Sequence, residues 1–425
     1  MRVRTHGRIR GGRTAIRRTR SDKGARLGFE TLPVEPLAAG LVFCLCIQTL
    51  GAPVVLAELV LLAAIVLICW RRGAGIIGNG VFFLALPLFA ILSALWSPVP
   101  DVSLRYGTQL LATVFIGIVL ARTIGMGRLP LVVFAGAGAA LVLGVVAGHT
   151  GPSEEGSVLI GFTGSKNQMG YVCLFWLLSA LCVAGSRQSA WLVRGAALLC
   201  VPLAAFLLLQ ANATTALVSA VVLAGVLAAL GIASYLPPAW RLFCLTVMLL
   251  IAGAALTATA EIEREAETFR ADVLGKDDRL TGRTLLWEDA DGLIAQKPLL
   301  GAGYKAVWLG PPGPGLLARY GQTDGRTYHF HDTVRELRVD LGLIGLTLFV
   351  LPLALFGLRG ATALIAHIDV GRAFAAAAVL AVVLRMRTEL VVGPLLIDFV
   401  LLIAGLCVLA RSRPMPRSKA RASLR

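Results

Sequence analysis

The chain has 425 residues, of which 57% are hydrophobic and only 15% carry a charge. A soluble protein of this length would be charged at roughly a quarter of its residues. Together with a mean hydropathy of +0.79, this composition excludes soluble enzymes, fibrous proteins and disordered chains. Apolar runs near the roughly 20 residues needed to cross a bilayer recur from Pro36 to Ala410. The sequence therefore predicts an all-α polytopic membrane protein.

We predict twelve transmembrane spans, two basic tails (1–35 and 411–425) and one long loop (261–340) between spans nine and ten. The spans cover residues 36–53, 54–70, 74–95, 107–121, 129–148, 167–185, 190–209, 211–232, 241–260, 340–358, 361–384 and 391–410. The first 35 residues contain ten Arg or Lys. This basic segment is longer than that of a cleavable signal peptide. We expect them to form an uncleaved tail.

The net charge of +16 is explained by membrane topology. If the N-terminus is cytoplasmic, 25 of the 40 Lys and Arg residues fall in the two tails and the short inner loops. This is the bias that orients membrane proteins. Most acidic residues fall on the other side. Both termini are thus expected in the cytoplasm. Polybasic tails can also bind anionic lipid or nucleic acid, but topology accounts for them without a partner, and we expect no nucleic acid.

No metal or cofactor site is predicted from the sequence. All eight cysteines lie within apolar runs, where free cysteine behaves as a small hydrophobic residue. No Cys/His spacing typical of a metal site, Walker loop, HExxH or GxSxG occurs. Asp289 and Asp291 resemble the DxD pair that holds a metal in soluble nucleotide-sugar transferases. Here the pair lies in a predicted surface helix outside the cell, where nucleotide sugars are absent, so we do not assign it a metal.

Several cations lie at span ends on the predicted outer face, where basic residues are disfavoured. Following the long loop, His331, Arg335 and Arg338 are spaced to share one face of a helix that enters the tenth span. They are either a snorkelling rim or an imidazole with two cations facing an anionic substrate, and we favour the second interpretation. The other outer polar candidates are Arg105, Lys166, Asn167, Arg385 and Arg387. Such a basic ring suits a lipid-linked diphosphate, because guanidinium groups bind phosphate oxygens bidentately.

The remaining candidates are weaker or lie elsewhere. Arg283 begins a pattern of helical spacing that continues through Trp287 to Ile294, which predicts an amphipathic helix on the membrane surface. His149 and His329 are loop residues with weaker context than His331. His6 and His367 fall on the cytoplasmic side and are expected to be solvated.

Four segments, in order, resemble the O-antigen ligase and polymerase superfamily, especially its exopolysaccharide-polymerising branch. They are LSALWS at 92–97 with Arg105, GFTGSKNQMG at 161–170, RTLLW at 283–287 with PLLGAG at 298–303, and His331 with GLIG at 342–345. The resemblance spans roughly residues 80–350. Three features depart from the family pattern: Asp332 replaces an Asn, Ser165 replaces a His common in this branch, and 212–217 lacks the Arg of true ligases.

The resemblance implies a GT-C-like glycosyltransferase in a bacterial inner membrane. Its reaction would be a metal-independent, inverting glycosyl transfer on the periplasmic face. The donor would be a glycan on undecaprenyl diphosphate and the acceptor another lipid-linked repeat unit, with a chain-length regulator as a further partner. His331 would be the general base or a group that orients the acceptor, and Arg283 a diphosphate ligand. Arg105, Lys166, Arg335 and Arg338 would be secondary cations.

Two alternatives stay open at this point. An O-antigen ligase, which transfers finished glycan to lipid A core, differs only in its acceptor. A twelve-span transporter or flippase is a different class, but the two halves of the chain show no similarity, and one long outer loop breaks the symmetry typical of transporters.

Overall fold

The computed structural model describes residues 34–71, 75–153, 156–247, 250–251, 253–254, 280–319 and 328–411. Its helices are α1 (Val34–Leu45), α2 (Ala52–Arg71), α3 (Ala85–Leu92), α4 (Pro100–Thr123), α5 (Leu129–Val146), α6 (Lys166–Gly185), α7 (Trp191–Gln210), α8 (Thr214–Ala233), α9 (residues 238–247), α10 (Leu280–Gln296), α11 (Ala306–Leu309), α12 (Gly313–Arg319), α13 (Thr333–Ala366), α14 (Val370–Arg385) and α15 (Ile397–Leu409). Strands β1 (Thr150–Ser153) and β2 (Gly156–Leu159) form an antiparallel hairpin in which Thr150 pairs with Leu159. The all-α membrane fold class is confirmed.

Within the part of the chain that the structure describes, eight helical segments are long and apolar enough to cross a membrane. They are α2, the Gly78–Leu95 segment around α3, and α4, α5, α6, α7, α8 and α13. Two further apolar helices, α1 and α15, are shorter. A helix lies within or across each of the twelve predicted spans, but the ninth is described only in part and α14 has 16 residues. Twelve crossings therefore stay a prediction.

One predicted boundary is wrong. The sequence places a break between spans ten and eleven at residues 359–360, but α13 continues to Ala366 and the chain turns at His367–Asp369. Asp369 explains the position of the turn, because its carboxylate accepts the Arg372 N–H and caps α14. Gly360 lies inside α13, where a side chain would meet Leu409. Its role is helix packing.

The buried core lies where α4, α6, α14 and α15 pack together. Almost every residue of α15 is buried. Gly117 of α4 lies so close to α15 that an added Cβ would be 2.9 Å from the Val400 carbonyl oxygen. Gly405 of α15 lies equally close to α14. Small residues allow this approach in membrane helices. By contrast, α2 and α7 expose large apolar side chains such as Leu56 and Leu199, as expected of lipid-facing helices.

Helix α13 contains a sharp kink at Gly342, where φ is 63° and ψ is −162°. A kink leaves backbone N–H groups without helical partners. Here the Leu343 and Ile344 amides donate to the carbonyls of Pro298 and Leu299, at 2.9 and 3.2 Å. In the other direction, the amides of residues 302 and 303 donate to the carbonyls of residues 339 and 340. The PLLGAG turn is therefore bonded to the kink through its backbone.

The LSALWS segment holds the same turn from the other side. Ser93 Oγ accepts the Tyr304 N–H at 2.9 Å, and Ser103 Oγ donates to the Tyr304 carbonyl at 2.9 Å. Trp96 Nε1 donates to the Leu300 carbonyl at 3.2 Å. Three of the four segments noted in the sequence thus meet in one junction.

Helix α10 is amphipathic as predicted, but its apolar face packs against protein. Leu286, Ala290 and Ile294 are buried in a small apolar cluster with Trp308 and Phe330. The apolar face of α10 is therefore covered by protein, and the location of the helix at the membrane surface stays a prediction. Apolar side chains of the loop, among them Trp308 and Phe330, cover this face of α10.

The junction gives a testable prediction at Gly301, whose φ is 68°. A Cβ there would lie 2.5 Å from the Asp340 backbone. We expect Gly301→Ala to lower the free energy of unfolding by at least about 2 kcal/mol, because it combines left-handed strain with overlap. Gly315→Ala is a matched control, since nothing lies within 4 Å of that site. Thermal unfolding in detergent would decide the matter, and equal stability of the two variants would contradict the prediction.

Candidate active site

Two histidines and a glutamate meet where the loop before α13 touches the α14–α15 loop. Glu389 Oε2 lies 3.5 Å from His329 Nε2, and Glu389 Oε1 lies 3.6 Å from His331 Nδ1. The two imidazole centroids are 4.1 Å apart. The Asn167 amide of α6 donates to Glu389 Oε1 at 2.5 Å. Four side chains from three separate parts of the chain thus form one polar cluster, which we call the His–Glu cluster.

The loops that carry this cluster are joined by Thr333. Its N–H donates to the Met386 carbonyl at 2.9 Å and its Oγ1 donates to the Glu389 carbonyl at 2.7 Å. The same Oγ1 accepts the Val391 N–H. Asp332 caps α13 by accepting the Val334 and Arg335 amides, both at 2.9 Å. The start of α13 and the α14–α15 loop are therefore held in fixed register.

The surroundings set the protonation of the cluster. Burial would raise the pKa of Glu389, but His331, His329 and Arg385 together hold it well below its usual range. Burial, reinforced by the neighbouring His331, lowers the pKa of His329 to about 4. At neutral pH the cluster therefore contains a carboxylate and a neutral His329.

Hydrogen bonds also indicate where the imidazole protons lie. The His331 backbone N–H donates to His329 Nδ1 at 3.1 Å, so His329 carries its proton on Nε2, which faces Glu389. A proton on Nδ1 of His331 would face the other Glu389 oxygen, slightly beyond hydrogen-bond distance, as is common before substrate binds.

The same three residues have the composition of a metal site. One ligand atom from each of His329, His331 and Glu389 lies within 4.8 Å of the others, and two imidazoles with a carboxylate can bind zinc. A metal on Nε2 of His329 would require the proton on Nδ1, where it would oppose the His331 N–H. This arrangement favours a hydrogen-bonded cluster over a metal centre.

Two arginines contact Asp332, which follows His331 in the chain. Arg335 stacks on the Trp287 ring at 4.8 Å and bonds to Asp291 and Asp332, at 3.3 and 3.2 Å. Arg387 is 54% exposed and lies 4.0 Å from Asp332. Arg338 is half-buried. The predicted shared helical face is wrong, because His331 lies before α13 with φ of 51° while both arginines lie within the helix.

Arg385 has a different position from the one predicted. Its side chain is 3% exposed, its Nη1 bonds to Asp398 at 2.8 Å, and it stacks on the Tyr171 ring at 4.1 Å. Gln168 donates to the same Asp398 oxygen at 3.1 Å. Arg385 thus supports the cluster from inside the bundle. The expectation of an outer guanidinium that binds substrate is corrected.

The other candidates lie around this region or outside it. Lys166 is exposed at the start of α6, next to Asn167. Arg105 is exposed on α4, beside Tyr106. Arg283 lies on α10, but its side chain is outside the described residues, as is the whole of His6. His367 lies at the far end of α13, where its N–H caps the helix.

The acidic pair that resembled a metal motif has another use. Arg319 Nη1 donates to both carboxylate oxygens of Asp289, at 2.6 and 2.8 Å, and Asp291 pairs with Arg335. Both carboxylates therefore serve to join α10 to its neighbours.

Sequence reasoning missed Glu389 and underrated His329. The available signals were weak: an acid between Arg385 and Gly393 in a basic outer loop, and a second histidine two residues before His331. Periodicity does not reveal contacts between residues 58 positions apart.

Comparison with known proteins agrees with these observations. A model of the family described as O-Antigen ligase matches residues 172–350. The chain is 30% identical, over 304 residues, to the exopolysaccharide production protein ExoQ of Rhizobium meliloti (strain 1021), which covers 69% of this chain and 68% of the relative. With this relative and the polytopic helical fold, the chain belongs to the O-antigen ligase and polymerase superfamily.

Proposed function

We propose that this protein is a polysaccharide polymerase that joins lipid-linked repeat units on the periplasmic face of a bacterial inner membrane. The donor is a glycan on undecaprenyl diphosphate, and the acceptor is a hydroxyl of another lipid-linked unit. The observation that carries the proposal is the His–Glu cluster, together with Arg335 and the exposed Arg387, which both lie against Asp332 next to His331. Similarity to an exopolysaccharide production protein favours the polymerase over a ligase. A chain-length regulator would be its protein partner.

The cluster suits activation of a hydroxyl. Nε2 of His331 removes the proton from the acceptor hydroxyl, while Glu389 stabilises the imidazolium that forms. The acceptor oxygen attacks the anomeric carbon from the side opposite the diphosphate. The carbon–oxygen bond to the diphosphate breaks, its electron pair leaves with the phosphate oxygen, and the configuration inverts.

Cations stabilise the leaving diphosphate in this scheme. Charge grows on its oxygens as the bond breaks, and fixed guanidinium groups bind such oxygens without a metal. Arg283 is proposed as the principal diphosphate ligand. Arg335, Arg338, Arg387, Arg105 and Lys166 contribute secondary positive charge around it.

The proposal predicts that His331→Ala lowers the rate of polymerisation by about 10²–10⁴-fold, the usual effect of losing a general base. Arg283→Lys should be impaired despite keeping its charge, because a bidentate contact is lost, and Arg283→Ala more so. Polymer length would be measured in a deletion strain at matched membrane levels. His367→Ala, at the other end of α13, is the matched control and should be near neutral.

The products of these variants also separate the alternatives. Loss of chain lengthening supports a polymerase, whereas full-length glycan stranded on its lipid carrier indicates a ligase. Normal polymer from well-expressed His331→Ala would remove the catalytic role. Repeat units that fail to reach the periplasm would indicate a flippase.

Metal independence is a separate prediction. Because His329 presents a protonated Nε2 to Glu389, activity in detergent should survive EDTA without loss. Rate measurements before and after chelation, then with Zn²⁺ or Mg²⁺ restored, test this. Loss with EDTA and recovery with metal would reassign the cluster as a metal site.

The mechanism also requires a fixed orientation in the membrane. Cysteine labelling in intact cells should find position 411 protected and positions 149 and 387 accessible, because the basic tails are expected inside. Those two outer positions are exposed in the structure. Labelling of 387 only from the cytoplasm would overturn the proposed function.

A further inference from the structure

The three-residue segment His329-Phe330-His331 carries both imidazoles in an unfavourable conformation. His331 has φ of 51°, a left-handed value that residues other than glycine rarely adopt. Such a conformation persists only where the surrounding structure enforces it. Phe330, at the centre, is 1% exposed, and its ring packs 4.8 Å from the Trp308 ring. The contacts of Phe330 therefore decide where the two imidazoles lie.

Two hydrogen bonds hold the Phe330 backbone. Its N–H donates to Glu336 Oε2 at 2.9 Å, and its carbonyl accepts from Trp287 Nε1 at 2.9 Å. Glu336 lies one turn into α13 and its side chain is 3% exposed. A charged acceptor makes a stronger bond than a neutral one. The Glu336 carboxylate is the stronger of the two restraints.

Lys305 compensates the charge of this buried carboxylate. Its Nζ bonds to Glu336 Oε1 at 2.9 Å, and its side chain is only 10% exposed. Burial would lower the pKa of Lys305, but Glu336 and Asp340 raise it above its usual value. Lys305 itself has φ of 60° and is separated from the PLLGAG turn by one residue, Tyr304. The junction at the α13 kink thus fixes the position of this ammonium.

Buried ion pairs often contribute little net stability, since desolvation offsets their attraction. Stability alone therefore does not explain why this ion pair also bonds to the strained segment next to the His–Glu cluster. Glu336 divides its two oxygens between Lys305 and the Phe330 amide. This division connects the turn at residues 298–303 to His331.

We propose that Lys305 and Glu336 are positioning residues for glycosyl transfer, which hold Phe330 so that His329 and His331 both face Glu389. The inference rests on the proposed function, in which His331 is the base. Neither residue touches substrate. They affect the reaction only by positioning His329 and His331.

Kinetics test the proposal with Lys305→Met and Glu336→Gln, which remove one charge each at similar volume. We expect kcat to fall by about 10–10²-fold, since a misplacement of roughly 1 Å can cost that much. KM for the donor should change little. Arg372→Met, which removes another buried cation at the opposite end of α14 from Arg385, should keep its specific activity per folded protein.

A double variant separates positioning from general stability. If Lys305 acts through His331, adding Lys305→Met to His331→Ala should lower the rate no further, within about twofold. A further tenfold loss in the double variant would overturn the proposal and leave the pair a purely structural one.

Chemical labelling gives a readout that does not depend on activity. Diethyl pyrocarbonate modifies unprotonated imidazole, and mass spectrometry reports each histidine. The His331 side chain is 21% exposed, so release of Phe330 should raise its labelling rate several-fold in both charge variants. His149, exposed in another loop, should not change. Unchanged His331 labelling in folded Lys305→Met would overturn the proposal.

The labelling result is independent of the catalytic role proposed for His331. Should His331→Ala prove fully active, that catalytic role fails, while labelling still shows whether the ion pair holds the segment.

Discussion

The arrangement of the candidate site depends on how the structure satisfies the backbone amides exposed at the kink of α13. Leu343 and Ile344 donate to the carbonyls of the PLLGAG turn, and the turn donates back to residues 339 and 340. These bonds require close approach, which Gly301 and Gly342 permit because both lack a Cβ and adopt positive φ. An otherwise costly interruption of a membrane helix thereby fixes the position of a loop.

Charge placement follows from that junction. The turn places Lys305 next to Glu336, and Glu336 accepts the N–H of Phe330, the residue between the two histidines. From the other side of the bundle, Arg385 and Asn167 stabilise the Glu389 carboxylate. The cluster is thus an anion held among donors, which suits an imidazole that must accept a proton and later release it.

The sequence predicted local features well and long-range pairings poorly. Apolar run length located the helices, because it depends on only 20 or so consecutive residues. The structure brings His331 and Asn167, both selected for their positions at span ends, together at Glu389, and their roles stay a prediction. Glu389 was missed and Arg385 misplaced, because partners 58 and 13 residues away, respectively, decide their surroundings. The left-handed backbone of His331 also invalidated a prediction based on ideal helical spacing.

Adjacent residues at the start of α6 have a mechanical consequence. Successive side chains of a helix point about 100° apart, yet Asn167 and Gln168 each reach a carboxylate, on Glu389 and Asp398 respectively. Two such bonds in different directions lock α6 against both axial rotation and sliding along its length. Any piston-like or screw motion of this helix would have to break both bonds together. We therefore expect α6 to move together with the α14–α15 loop and the start of α15, to which these two bonds attach it.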